Sequence, residues 1–294
     1  MSENNSLINI NFGDIDFKNL SKPANTLIKK ITSAVGIFYE PTHIKRVAKA
    51  EAKAALIEAK SEIEISELHR RAAQRWVEEE AQRQKNMEDI TAKALPNLNE
   101  DANPDEIEDD WIVNFFDKCR IVSNDEMQKL WSRILAGEAN TPGTYSKRTV
   151  NFLVDLDKNE AQLFTKLCGF VWKIESLQPL IFEHQDEIYN SHGIRYESLN
   201  HLKNIGLIEF SVTGHVSIFR SIEVPKTFAA SYYDRRLALG IPLNTNKRLA
   251  VGTVSLTHIG QELAPICGSQ PVEGFWEYVK EQWKEYLPKV EAPG

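Results

Sequence analysis

The chain is poor in the residues that build metal and disulfide frameworks. It has three cysteines, Cys119, Cys168 and Cys267, and no CxxC pair. That count and spacing suggest neither a zinc site nor a disulfide scaffold, and they fit buried or free thiols in a reducing compartment. No apolar run approaches the roughly 18 residues of a membrane span. The opening MSENNSLINI lacks a basic stretch and a long apolar core, so no signal peptide is expected. Positive charge is in deficit too. With 35 Lys and Arg against 42 Asp and Glu, the formal charge is -7 and the pI is about 5.6. A broad basic face for nucleic acid is therefore not expected, although a local patch stays open. The expectation is a cytoplasmic protein without a cofactor.

Catalytic signatures are missing as well. There is no GxxxxGK[ST], no strand-linked GxGxxG, no HExxH, no GxSxG and no kinase set. The seven histidines form no HxH or metal-type i,i+4 pair. His184 and His192 flank Asp186 and Glu187 and read as surface pairing. No catalytic, cofactor-binding or metal-ligating residue is assigned on this basis.

What the chain does contain points to architecture. Its 294 residues suffice for about two domains. Six Trp, eight Tyr and thirteen Phe can fill real cores. Residues 1–41 read as a polar arm and a short amphipathic helix over 24–39, with Leu27, Ile28, Ile31, Val35 and Phe38 on one face. Packing on the protein's own body is the expected use of that face, not a membrane surface. From Thr42 to about Leu95 there is neither Pro nor Gly, and Ala, Glu, Lys, Arg and Gln dominate. A continuous helix over 42–95 would reach about 80 Å. Ala48, Ala52, Ala55, Ala59 and Ile63 recur at steps of three and four, a stripe for close approach of another helix and the candidate self-association surface. Leu56, Ile57, Ile65 and Leu68 fall off that stripe, so no strict heptad persists. A self-associating antenna and a helix packed on its own domain both fit.

Residues 96–108 read as an acidic linker within PNLNEDANPDEIEDD, whose seven acids have no base among them. The missing DxDxDG spacing argues against calcium. Residues 109–175 predict a bundle of four short helices. Asp109 or Asp110 opens one, and Ser123 to Glu126 has capping-box spacing for the next, which ends near Ala136-Gly137. The junction at 138–148 reads as a joint, with Glu138 and Ser146 satisfying helix ends. Residues 176–294 predict a winged-helix-like domain: a helix over about 196–205, a hairpin of LIEFSV and VSIF, and a strand running into a helix capped by Thr257. A terminal helix follows, and a loop over 220–249 is inserted in the wing. Asn200 and Lys203 on the candidate reading helix, and Tyr232, Tyr233, Arg235 and Arg236 in the insert, are the candidate partner or nucleic-acid contacts.

Three stretches carry a family resemblance: KITSAVGIFYEPTHIKRVAKAEAKA, RRAAQRWVEEEAQRQKNMEDITAKAL, and above all EDDWIVNFFDKCRIVSNDEMQKLWSRILAGEANTPGTYSKRTVNFLVDLDKNEAQLFTKL. With GIRYESLNHLKNIGLI and LTHIGQEL, they resemble the bacterial domain-of-unknown-function family 2806, over nearly the whole chain. More distantly the chain is similar to abortive-infection proteins with an "LW…LA" helical block. The resemblance brings no catalytic residues. It implies a bacterial cytoplasmic protein of mobile or defence-gene character. The expected fold is mainly α with a small α+β part: a long N-terminal helix, a short-helix bundle and the winged-helix-like domain. The expected function is non-enzymatic, through self-association into a homo-oligomer and binding of a protein partner, in phage defence. A winged-helix DNA-binding regulator and a divergent metal-dependent nuclease are the alternatives.

Overall fold

The computed structural model describes residues 20–36, 67–212, 216–218, 226–241 and 249–287. The chain is mainly α-helical with a small antiparallel β part. It divides into two compact units, Met1–Val154 and Asp155–Gly294. The first 19 residues of the arm predicted over 1–22, Phe38 of the predicted amphipathic face, the Ala48–Ile63 stripe and the first part of the predicted 42–95 helix lie outside the described residues.

Helix α1 (Lys22–Val35) begins before the predicted residue 24 and ends before residue 39. Ser21 caps it through a bond from the Ala24 amide, and Pro23 sits in the first turn, where a missing N–H costs nothing. Gly36 ends it at φ 71°, its N–H bonded to the Thr32 carbonyl at 3.0 Å. Leu27 and Ile31 are buried, and α1 packs on α3 (Asp109–Cys119). Between them, α2 (Glu67–Ala94) is a 28-residue helix, about 42 Å long at 1.5 Å per residue. Its second half buries Ile90 and Ala94 against α4 (Asp125–Asn140).

The acidic segment is more than a solvated linker. It forms 3₁₀ turns at Leu95–Asn97 and Pro104–Glu106 and buries Pro104 and Ile107. The Asn103 amide bonds the Ala139 carbonyl at 3.0 Å, and Asn140 bridges the Asn97 carbonyl and the Asn99 amide. The acids stay exposed while the backbone is tied down.

Two helix limits also shift. Asn124, not Ser123, caps α4, accepting from the Met127 amide at 3.1 Å. The helix then runs through Gly137 to Asn140. Gly137 is there for packing: a Cβ would lie 2.6 Å from the Tyr145 ring. Helix α5 (Lys147–Asp155) starts from Ser146, whose hydroxyl accepts from the Thr149 amide at 3.2 Å. The core of this unit is aromatic. Trp111 stacks on Phe115 at 5.1 Å, and Phe115 meets the Trp131 ring edge-on at 5.2 Å; such pairs add about 0.5–1.5 kcal/mol beyond their burial.

Helix α6 (Lys158–Cys168), grouped by sequence with the bundle, belongs to the second unit. Its capping box between Asp157 and Glu160 forms as predicted. Strands β1 (Val171–Lys173) and β2 (Leu177–Pro179) follow, then α7 (Glu187–Asn190) and α8 (Tyr196–Asn204), which Gly206 ends at φ 89°. Next come β3 (Ile208–Phe210), β4 (Val216–Ile218), β5 (Lys226–Tyr232), β6 (Arg235–Ile241), β7 (Leu249–Gly252), β8 (Val254–Leu256), α9 (His258–Leu263) and α10 (Phe275–Gln282).

Two predictions about these strands are corrected. Among the described residues, the LIEFSV and VSIF segments do not pair with each other. Both run along the returning strand, β3 with β8 and β4 with β7. The return partner is some 40 residues away in sequence, so local turn signals could not show it. The inserted segment is no plain loop either: β5 and β6 pair over seven residues each and complete a four-stranded sheet in the order β2-β1-β5-β6. Ile181 bridges Gly252 in parallel.

Candidate functional site

Side chains alternate across a strand, and that alternation decides where the predicted aromatic-basic cluster goes. Trp172 lies beside Tyr232 in register, and Tyr232 opposes Arg235. These three project to one face of the sheet, where Trp172 stacks between Tyr232 and Trp276 at 5.2 and 5.0 Å. Arg235 lies 4.2 Å over the Trp276 ring and 3.5 Å from Glu277. Tyr232 is buried. Its hydroxyl donates to the Gly169 carbonyl and accepts from the Val272 amide, both at 2.7 Å. Burial pushes its pKa up to about 12. Tyr232 therefore serves the packed interior of this unit, while the exposed Arg235 covers the rim of the same aromatic face.

Ser231 and Arg236 project to the opposite face. Tyr233 and Asp234 make the two-residue turn between, with Tyr233 at φ 52°. A positive φ at the first turn position alone is the sign pattern of a type II′ turn, which normally takes glycine there. The Tyr233 hydroxyl donates to Ser269 Oγ at 2.9 Å, and burial raises its pKa. The predicted cluster is thus divided among two sheet faces and a turn. A period-2 reading of AASYYDRRLALGI on either side of Tyr-Asp was the signal available for the hairpin.

On α8, Leu199 and Leu202 are buried and Asn200 is half-buried. Lys203 is exposed, but its ammonium donates to the Phe210 carbonyl at 2.9 Å. His201 lies 2.9 Å from Glu160. The outward positions left are Arg195, Tyr196, Glu197 and Asn204.

The junction at 138–148 is a joint with a named mechanism. Glu138 is buried, and its carboxylate accepts from the Gly143 amide at 2.7 Å and the Tyr145 amide at 2.8 Å. The Tyr145 carbonyl accepts from Trp111 Nε1 at 2.7 Å. A charge so committed to the backbone holds the loop shape.

The thiols are free. Cys119 and Cys168 are buried, which pushes both pKa values well up. Cys267 is half-buried, and its pKa falls to about 7, chiefly because Cys168 hydrogen-bonds its sulfur. Among the described residues no three His, Cys, Asp or Glu side chains converge as a metal site. Among them, too, no helix is long and apolar enough to cross a membrane.

On α2, which carries none of the residues predicted for self-association, every position from Glu67 to Glu79 is exposed. Leu68, Trp76 and Val77 are 64%, 63% and 58% accessible. Leu68 is one of the residues that fall off the alanine row, and Trp76 and Val77 join it on the exposed half of this helix.

Fold and site together define a mainly helical protein that carries a small sheet-bearing unit, without a metal-type cluster of His, Cys, Asp or Glu among the described residues. A family model described as "Protein of unknown function (DUF2806)" matches residues 70–280. The chain belongs to that family. No curated protein and no solved structure matches it.

Proposed function

We propose that this protein acts by binding, without catalysis of its own: copies associate through the exposed half of α2, and the second unit recognises a protein partner. The single observation behind this reading is the outward row of Leu68, Ala72 and Trp76, spaced by four, with Val77 beside it. Residues four apart share a helix face. A Trp and a Leu held bare together mark an interface more often than a random surface. A second copy is the occupant. The helix mixes its charges through the pairs Arg70–Glu67, Arg75–Glu79 and Lys85–Asp89, so an identical helix meets no field of one sign. In the sequence, the alanine row Ala48 to Ile63 lies earlier in the same proline- and glycine-free segment.

Sedimentation equilibrium on the full chain tests this. Association that rises with concentration and is lost in Trp76→Glu and Leu68→Glu, at unchanged helix content, is the expected result. A wild-type chain that stays monomeric throughout, or variants that associate as strongly, refutes it.

The winged-helix reading of the second unit draws support from element order. Helix α6, strand β2 extended to the Ile181 bridge, helices α7 and α8, and the long antiparallel ladder follow the sequence of a winged helix-turn-helix. Protein recognition is favoured over duplex DNA because Lys203 and His201, though exposed, are engaged by the Phe210 carbonyl and Glu160, and a groove reader needs several outward cations. A setting in bacterial phage defence belongs to the same proposal and draws on sequence likeness alone.

A further inference from the structure

We propose that the second unit binds a small organic phosphate, a monoester with a ring-sized apolar body, in a cavity of about 400 Å³ beside the face of the sheet that carries Arg236. That volume lies within the usual range for small-ligand sites.

One row of the sheet lines it. Leu177 pairs with Lys173, Lys173 with Ser231, and Ser231 with Arg236. Directly opposed residues point to the same face and sit about 4.5–5.5 Å apart at Cβ. One position from each of the four strands therefore reaches this cavity, and all four line it. The row places a hydroxyl between an ammonium and a guanidinium. Among the described residues neither Lys173 nor Arg236 has a carboxylate partner, whereas Arg235, one position away on the other face, has Glu277. In a chain of net charge -7, two adjacent unpaired cations favour an anion by direct attraction.

Other elements supply the rest of the lining. Ser269 adds a second hydroxyl, while Ala264, Pro265 and Val171 are apolar. Tyr233 also lines the cavity in its strained turn, tied to Ser269. Backbone strain of this kind collects at ligand sites. An ammonium, a five-donor guanidinium and two hydroxyls offer more donors than the two oxygens of a carboxylate use well, and they suit the three terminal oxygens of a phosphate. The apolar residues then cover the body of the ligand.

Isothermal titration of the full chain with phenyl phosphate, inorganic phosphate and benzoate tests the assignment. Phenyl phosphate is expected to bind saturably at one site, with the other two weaker because each lacks half of the recognised chemistry. Lys173→Gln and Arg236→Gln, both at exposed positions, should each weaken phenyl phosphate by about tenfold, the scale of one hydrogen bond to a charged group. Arg235→Gln, on the opposite face, should leave the affinity unchanged, and circular dichroism checks that all three variants fold. Absence of saturable binding by phenyl phosphate overturns the proposal, as does equal affinity in Lys173→Gln and Arg236→Gln. Benzoate binding as tightly as phenyl phosphate overturns the phosphate assignment.

Discussion

Removing the Glu138 carboxylate should loosen the first unit far more than its place in a loop junction suggests. The side chain is 3% exposed, and both oxygens accept from backbone amides, Gly143 at 2.7 Å and Tyr145 at 2.8 Å. A hydrogen bond to a charged group contributes about 1.5–3 kcal/mol. Two of them put Glu138→Ala at about 3–6 kcal/mol, against a total of about 5–15 kcal/mol for a folded domain. The loss propagates: Tyr145 accepts from Trp111 Nε1, and its ring covers Gly137. Glu138→Gln keeps the shape and one acceptor but turns an NH₂ toward a backbone N–H, so about half of the loss or more should remain. Urea unfolding gives the magnitude, and hydrogen exchange at the Gly143 and Tyr145 amides gives the location. If Glu138→Ala costs less than about 1 kcal/mol, the value of an ordinary neutral bond, and both amides stay protected, the clip does not hold the joint and the reasoning is wrong.

Gly252→Ala should damage the second unit severely, by about 4 kcal/mol or more, because φ is 104° and a Cβ would sit 2.0 Å from the Ile181 carbonyl oxygen; retention of the wild-type near-ultraviolet dichroism and urea midpoint would contradict this. Cys267 should alkylate with a pH midpoint near its pKa of about 7, the thiolate forming above that value, while Cys119 and Cys168 stay inert in the native chain. Peptide mapping after iodoacetamide treatment across pH 6 to 9 checks this, and equal labelling of the three thiols would refute it.

Much of the helical framework was legible because its causes are local. The capping box at Asp157–Glu160, the Thr257 cap and the Gly206 stop each need only a few consecutive residues, and each appears where those residues stand. The periodic apolar faces of α3 and α4 told which side is buried for the same reason. Gly137 shows the limit: it looks like a stop signal, yet the helix passes through it because the Tyr145 ring, eight residues on, needs the space. The acidic segment likewise hides two buried positions, Pro104 and Ile107, among exposed carboxylates.

The sequence alone determined the family, the mainly helical class with its small β part, and the local signals that start and stop several of these helices, since all of these follow from short-range chemistry. Only the tertiary structure decided which strands pair, and pairing decided the site. A strand shows its two faces to different surroundings, so neighbours such as Arg235 and Arg236 part company: one lies over Trp276, and the other shares a sheet face with Lys173, with β5 between them. That meeting of residues more than 60 positions apart depends on hydrogen-bond register, which no local pattern in the chain encodes.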